Sequence, residues 1–299
     1  MASNDNRFAV LLKPGEVQPA IERAAQYCHL APEIEVTAVR VVNDFDDSSR
    51  DDIAVRVKSE FEGLKRAFPG IKHFELKIIF SKEVPEAFCR ECAEGGYALA
   101  IISANRRNTL KDLFVSTIDS EVMRNCPVPL LVVKEAGSQS QLGKAILIAI
   151  DFQESSHNHE LDEALFKSAK SFAGRFNGEI HVVNCVSPLN RGLMSGDTGM
   201  SKMLSGSSVT RVDINERIVE EFAKEHGLPL DHTYVVEGRV DEEIPRLCER
   251  LGARMVCMGT NPKSSFLGSI NSSASELVLE QIRGDVFIVN SASLKKQAE

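Results

Sequence analysis

Apolar residues along this chain follow two alternating patterns, short continuous runs and longer stretches at helical spacing. A continuous run of four to eight apolar residues predicts a strand buried on both faces of a parallel sheet, and an apolar stripe at positions i, i+3, i+4 and i+7 predicts an amphipathic helix. In the first half the strands are read at Phe8–Leu12, Glu35–Val42, Phe74–Phe80, Ala98–Ser103 and Pro129–Val133, and the helices at Gln18–His29, Asp51–Ala67, Lys82–Glu94 and Val115–Arg124. In the second half the strands are Ala145–Ile150, Ile180–Val186, Leu230–Glu237, Met255–Met258 and Val286–Val289. Its helices are Glu160–Phe176, Val209–His226, Asp241–Leu251 and Ser273–Ile282, the second of them with Val212, Ile214, Ile218, Val219 and Phe222 facing inward. Strand–helix alternation at this spacing implies parallel βαβ units with right-handed crossovers.

The two halves repeat one another. Phe8–Lys13 is answered by Ala145–Asp151, Ala100–Ser103 by Val256–Gly259, and Pro127–Val133 by Asp285–Val289. A repeat fixes the architecture before any motif is considered. The expectation is therefore an α/β protein of two tandem doubly wound domains, residues 1–138 and 139–299. Each is a five-stranded parallel sheet in the order 3-2-1-4-5, flanked by helices. Matched positions drift from Lys13/Asp151 to Val42/Val186 to Phe80/Glu237, so the second copy has gained residues, chiefly in Ser187–Ser208. That segment holds Gly192, Gly196, Gly199, Gly206 and six Ser, together with Leu193, Met194, Met200, Met203 and Leu204. It reads as a mobile connection, or alternatively as an apolar lid over a ligand. Glu135–Leu142 reads as the interdomain linker.

Composition narrows the classes. The 299 residues are 43% hydrophobic and 26% charged with a net charge of −8, a soluble globular profile without the basic face that a nucleic-acid backbone requires. No apolar run reaches the ~20 residues of a membrane span, and the first residues lack a signal-peptide core. Seven scattered cysteines suit reduced thiols, and a cytoplasmic location is expected. Trp is absent, which weakens readings that need stacking platforms.

Ligands of such sheets bind beyond the carboxyl ends of the strands, where the strand order reverses. The residues to examine therefore follow strands one, two and four, notably Asp151 after the first and Met258-Gly259 with the segment running to Glu276 after the fourth. A glycine there allows close backbone approach. Ser272-Ser273 at a helix start offers free N–H groups that suit phosphate, and Ser273 with Glu276 forms a capping box, so the same serines also read as caps alone.

With these residues the chain resembles the tandem universal stress proteins, nearest the two-domain E type, over almost its whole length. That family implies a Rossmann-like (HUP) fold and a stress-response role without enzymatic activity. Its nucleotide-binding members carry an Asp after strand one and a Gly-x2-Gly-x9-Gly-Ser/Thr loop after strand four. The resemblance places the Asp151 carboxylate on an adenine edge, Cys185 where backbone groups hold adenine, and Met258, Gly259, Ser272 and Ser273 along the loop. It also implies that the two domains pair through their last strands as an internal pseudo-dimer, and it leaves room for a further homodimer.

The match then decays. The second and third loop glycines fall on Pro262 and Ser272, and proline lacks an N–H and fixes φ. ATP, ADP or AMP binding is thus expected to be weak or absent. The first half departs further, with Lys13, Ser103 and Arg106 at the corresponding positions, and is expected to be structural. Arg106, Arg107 and Lys111 read as a solvated basic face. Cys89-x2-Cys92 lacks a second pair or a nearby His to complete a zinc site, His157-Asn-His159 reads as polar loop, and Asp44–Asp52 as a solvated acidic turn. Alternatives to the regulatory reading are a slow nucleotide hydrolase at the same pocket and a binder of an apolar small molecule under the 187–208 loop.

Overall fold

The computed structural model describes residues 6–15, 18–104, 117–134, 145–152, 159–186, 211–260 and 274–290. The first half runs β1 (Arg7–Leu11), α1 (Pro19–Leu30), β2 (Glu35–Val42), α2 (Arg50–Ala67), β3 (His73–Phe80), α3 (Val84–Glu94), β4 (Leu99–Ser103), α4 (Thr117–Asn125) and β5 (Leu130–Val133). The second runs β6 (Ala145–Ala149), α5 (His159–Phe176), β7 (Glu179–Val186), α6 (Arg211–His226), β8 (Thr233–Glu237), α7 (Val240–Leu251), β9 (Met255–Thr260), α8 (Ala274–Gln281) and β10 (Asp285–Asn290). The expected domain boundary at 138/139 and the linker lie between β5 and β6, outside the described residues, as do the 187–208 segment, Arg106, Arg107 and Lys111.

All ten strands join one sheet in the order β3-β2-β1-β4-β5-β10-β9-β6-β7-β8. Each half has the 3-2-1-4-5 order of a doubly wound unit, parallel throughout, and the two meet where β5 pairs antiparallel with β10. The central strands are apolar on both faces because both are covered, while the edge strands β3 and β8 are only partly buried. Ile146 and Ile148 of β6 enter one core layer and Leu147 the other, as the alternation of side chains along a strand dictates.

Register makes the duplication geometrical. Ser103 pairs with Val133 as Gly259 pairs with Val289, so 259 − 103 and 289 − 133 both give an offset of 156 at these strands. Across the junction Leu131 faces Phe287, its own equivalent, with Val132 opposite Val286 and Leu130 opposite Ile288. The halves are therefore related by a pseudo-twofold axis through that pair, the self-complementary arrangement of an isologous dimer.

Both helical layers close over the junction. On one side Tyr27 of α1 packs its ring 5.1 Å edge-on from Phe172 and 4.5 Å from Phe176, both of α5. Aromatic pairs of this geometry add about 0.5–1.5 kcal/mol beyond their buried area. Beside them Arg23 of α1 reaches Asp285 of β10 at 2.8 Å, with only 8% and 3% of the two side chains exposed. On the other side, Lys134 donates to Glu280 O at 2.9 Å and Ile282 O at 2.7 Å, satisfying carbonyls at the end of α8. Its equivalent Asn290 donates to Met123 O and Arg124 O at the end of α4. Helix ends leave such carbonyls without intrahelical partners, and each half supplies the cap for the other.

Three sequence expectations are corrected. The fourth strand of the second half extends past Met258 to Thr260, because pairing with β10 continues through Gly259↔Val289 and Thr260↔Asn290. Leu230–His232 forms a 3-10 turn before β8 rather than its first residues. Ile214 of α6 is exposed, since the buried stripe runs through Asn215, Val219, Phe222 and Ala223.

Candidate functional site

The carboxyl ends of β6, β7 and β9 carry the described candidate residues of the second half. The chain leaves β6 through buried Ile150, whose carbonyl accepts from Asn184 Nδ2 at 2.9 Å. That bond fixes the exit so that Asp151 emerges exposed, while Phe152 turns back with its ring 5.6 Å from Phe222. Cys185, next to Asn184 on β7, is half-buried and faces the opposite layer beside Val236. Burial pushes its thiol up to about 12, and the negative charges of Glu243 and Asp151 add to the effect. Asp151, Cys185 and Glu243 thus share one electrostatic neighbourhood, and the thiol stays protonated at neutral pH, the inert form. Glu243 comes from the first turn of α7, where Gly238 lets the chain pass beneath it; a Cβ on Gly238 would meet Glu243 Cγ at 2.5 Å.

Met258 is buried and Gly259 lies within β9. The close approach that Gly259 permits is made by the protein itself, because a Cβ there would sit 3.0 Å from Cδ2 of Leu161 in α5. Ser272 and Ser273, with Pro262 and Gly268, lie outside the described residues; α8 begins at Ala274, immediately after Ser273.

The matching corner of the first half is filled by its own side chains. Gln18 donates from Nε2 to Lys13 O at 2.7 Å and Gly15 O at 3.0 Å, and its Oε1 accepts from Lys13 N at 3.2 Å. Lys13 Nζ stands 4.0 Å from Asp119, a carboxylate of α4 that is only 2% exposed. Burial lowers the lysine pKa, and Asp119 opposes that shift. Ser103, at the position of Gly259, accepts from Ala20 N at 3.0 Å and caps the start of α1. Where one half has a bare glycine covered by leucine, the other has a serine bonded to the helix. Asp119 and Gln18 were not singled out from sequence, since only the folded sheet brings α4 over the end of β1.

The lesser candidates resolve into structural roles. Cys92 is buried and Cys89 half-buried on α3, and Cys126 joins them, its thiol within hydrogen-bond reach of both. The Cys126 bond and burial raise the Cys89 thiol, so the group is poorly nucleophilic. Asp46, in the acidic stretch, accepts from Ser49 N at 2.8 Å and Ser48 Oγ at 2.7 Å, an Asx turn leading into α2. Those bonds, the Ser48 hydroxyl first, hold its carboxyl below the ordinary range. His159 opens α5, and His157 lies outside the described residues. Among the described residues no helix is long and apolar enough to cross a membrane.

Known proteins share this architecture. Universal stress protein E of Escherichia coli K12 is 24% identical over 305 residues, covering 97% of this chain and 95% of its own. The universal stress protein E homolog of Haemophilus influenzae is 24% identical over 222 residues, 73% of this chain and 70% of its own. A crystal structure of a universal stress protein from Archaeoglobus fulgidus superposes with a TM-score of 0.67 at 15% identity, covering 96% of each chain. The universal stress protein family profile matches twice, over residues 13–134 and 143–290, one match in each sheet half, the first beginning just after β1. By that doubled match, carried on one continuous sheet with a pseudo-twofold axis, the chain belongs to the universal stress protein family.

Proposed function

We propose that this protein is a non-enzymatic regulator of the stress response, with a small-molecule pocket of nucleotide type in its second half. The ligand would be ATP, ADP or AMP, bound weakly because Pro262 and Ser272 stand in for loop glycines, and held by Asp151 and Cys185 at the base end and by Met258, Gly259, Ser272 and Ser273 towards the phosphates. The observation that carries this reading is the asymmetry between the two corners where the strand order reverses. In the first half Gln18, Lys13, Asp119 and Ser103 bond to one another and to the backbone. In the second, Asp151 stands exposed to solvent beyond β6. Leu161 shields Gly259 from the α5 side, so the ligand is drawn to the edge between Asp151 and Cys185. Binding there would act on a partner through the segments that border the pocket.

The rival reading is a slow hydrolase of the same nucleotides. It is less well supported, because the thiol gathered with Asp151 is held protonated by burial and is no activated nucleophile. Calorimetric titration of the full chain with ATP, ADP and AMP, with and without Mg²⁺, tests both readings. Binding weakened at least tenfold in Asp151→Ala, without steady phosphate release, is the expected result. Steady phosphate release abolished in the same variant would establish the hydrolase, and no heat from any nucleotide would remove the proposal.

A further inference from the structure

At the opposite, amino end of the second half, away from Asp151, a second cluster combines metal-binding side chains from two adjacent strands. Glu179 and His181 lie two residues apart on β7, so strand alternation puts them on one face. His232 ends the 3-10 turn that leads into β8, and the parallel register Val182↔Thr233 brings it alongside them. One ligand atom from each of the three residues lies within 4.8 Å of the other two. Glu179 Oε1 is 3.2 Å from His232 Nε2, and the two imidazoles stack with centroids 4.3 Å apart.

The surroundings orient both rings. His232 Nδ1 is 3.0 Å from Ile180 O and must donate to it, which turns Nε2 towards Glu179, where it donates when protonated and offers its lone pair once that proton is lost. Tyr234 donates its hydroxyl hydrogen to Asp231 O at 3.1 Å, and the same oxygen is 3.4 Å from His181 Nδ1, where it can accept. A backbone carbonyl behind one histidine and a hydroxyl behind the other is the outer shell that metal-bound imidazoles usually have. The cluster is also graded in exposure, with His181 buried, His232 partly covered and Glu179 open to solvent.

We propose that Glu179, His181 and His232 form a binding site for a divalent transition ion of the zinc class. Two imidazoles and one carboxylate suit zinc, cobalt or nickel and do not suit magnesium or calcium, which take oxygen donors. A tetrahedral ion with bonds of about 2.0–2.1 Å needs ligand atoms about 3.3 Å apart. The Glu179–His232 pair already has that spacing, and the His181 atom, within 4.8 Å of both, would close in by rotation of its ring out of the stack. Three protein ligands leave the fourth position to water on the exposed side of Glu179. The site is independent of the nucleotide pocket, so it stands or falls without it.

The test is titration of the chelator-stripped full chain with ZnCl2 at pH 7.5, in parallel with Glu179→Gln, His232→Gln and, as a control, His159→Gln. Gln keeps the size of each side chain, and the circular dichroism of the apo variants should match wild type. One zinc per wild-type chain is expected, with affinity at least tenfold weaker in the first two variants and unchanged in the third. CoCl2 should give the visible absorption of tetrahedral cobalt in the wild type and lose it in both ligand variants, while MgCl2 gives no heat. Zinc should raise the melting temperature of the wild type and of His159→Gln but not of the two ligand variants. Absence of zinc uptake by the wild type, or undiminished uptake by either ligand variant, overturns the proposal.

Discussion

Replacing Arg23 by Met tests how the two halves are held together. The guanidinium and the Asp285 carboxylate meet at 2.8 Å across the junction, nearly out of reach of water. Burial pushes the Asp285 carboxyl up to about 6, with Arg23 pulling it back. A carboxyl whose folded value lies above its unfolded one favours folding when protonated. This group's contribution is therefore fully present below about pH 4 and fades as pH rises through 6. Without Arg23 the folded value rises further. At pH 8 the variant holds an unpaired buried charge, a loss of about 3–5 kcal/mol. At pH 5 Asp285 takes a proton in the fold, and the loss shrinks to the hydrogen bonds and packing, about 1–2 kcal/mol. Urea unfolding of wild type and variant, followed by circular dichroism from pH 5 to pH 8, measures the difference at each pH, and groups common to both cancel. The double change Arg23→Met with Asp285→Leu should remove the pH dependence and recover most of the stability, as apolar replacement of buried pairs commonly does. A penalty for Arg23→Met that is the same at pH 5 and pH 8 would refute the reasoning.

Two further outcomes follow from the junction and the filled corner. Lys134→Ala strips the cap from the last carbonyls of α8 and should cost about 1–3 kcal/mol in urea unfolding, with Lys134→Arg recovering part of it. Ser103→Ala removes the acceptor for Ala20 N at the start of α1 and should cost about 0.5–2 kcal/mol, read as a lower melting temperature.

The central strands were legible because they are buried on both faces and so read as unbroken apolar runs, Leu130–Val133 and Val286–Val289 among them, whereas the edge strands β3 and β8 are only partly buried. Element ends were less legible. Gly259 and Thr260 join β9 only because β10 continues beside them, and nothing in their own chemistry announces a strand. Ile214 was placed inward by its apolar side chain, while the helix buries Asn215 in its stead and bonds its amide to Arg211 O at 2.8 Å. The switch-point rule was enough to select Asp151, while Cys185, which shares its electrostatic neighbourhood, entered only through the family resemblance. Lys13 with Asp119, and His181 with His232, could not be paired from sequence, because sheet register and helix docking join residues far apart in the chain. Glu179-x-His181 was a visible signal once strand alternation is applied, but its third member depends on where β8 begins.

A pseudo-twofold axis within a single chain has a genetic consequence. In a dimer of identical subunits every substitution at the interface occurs twice, once on each side of the axis. Here each position mutates alone. Lysine can cap one helix while asparagine caps its counterpart, and Asp285 can take a buried arginine while Pro129 stands at the equivalent place. The covalent link keeps the two halves at a high effective concentration, so neither side has to remain self-complementary. Each corner of the sheet is then free to change its side chains independently of the other.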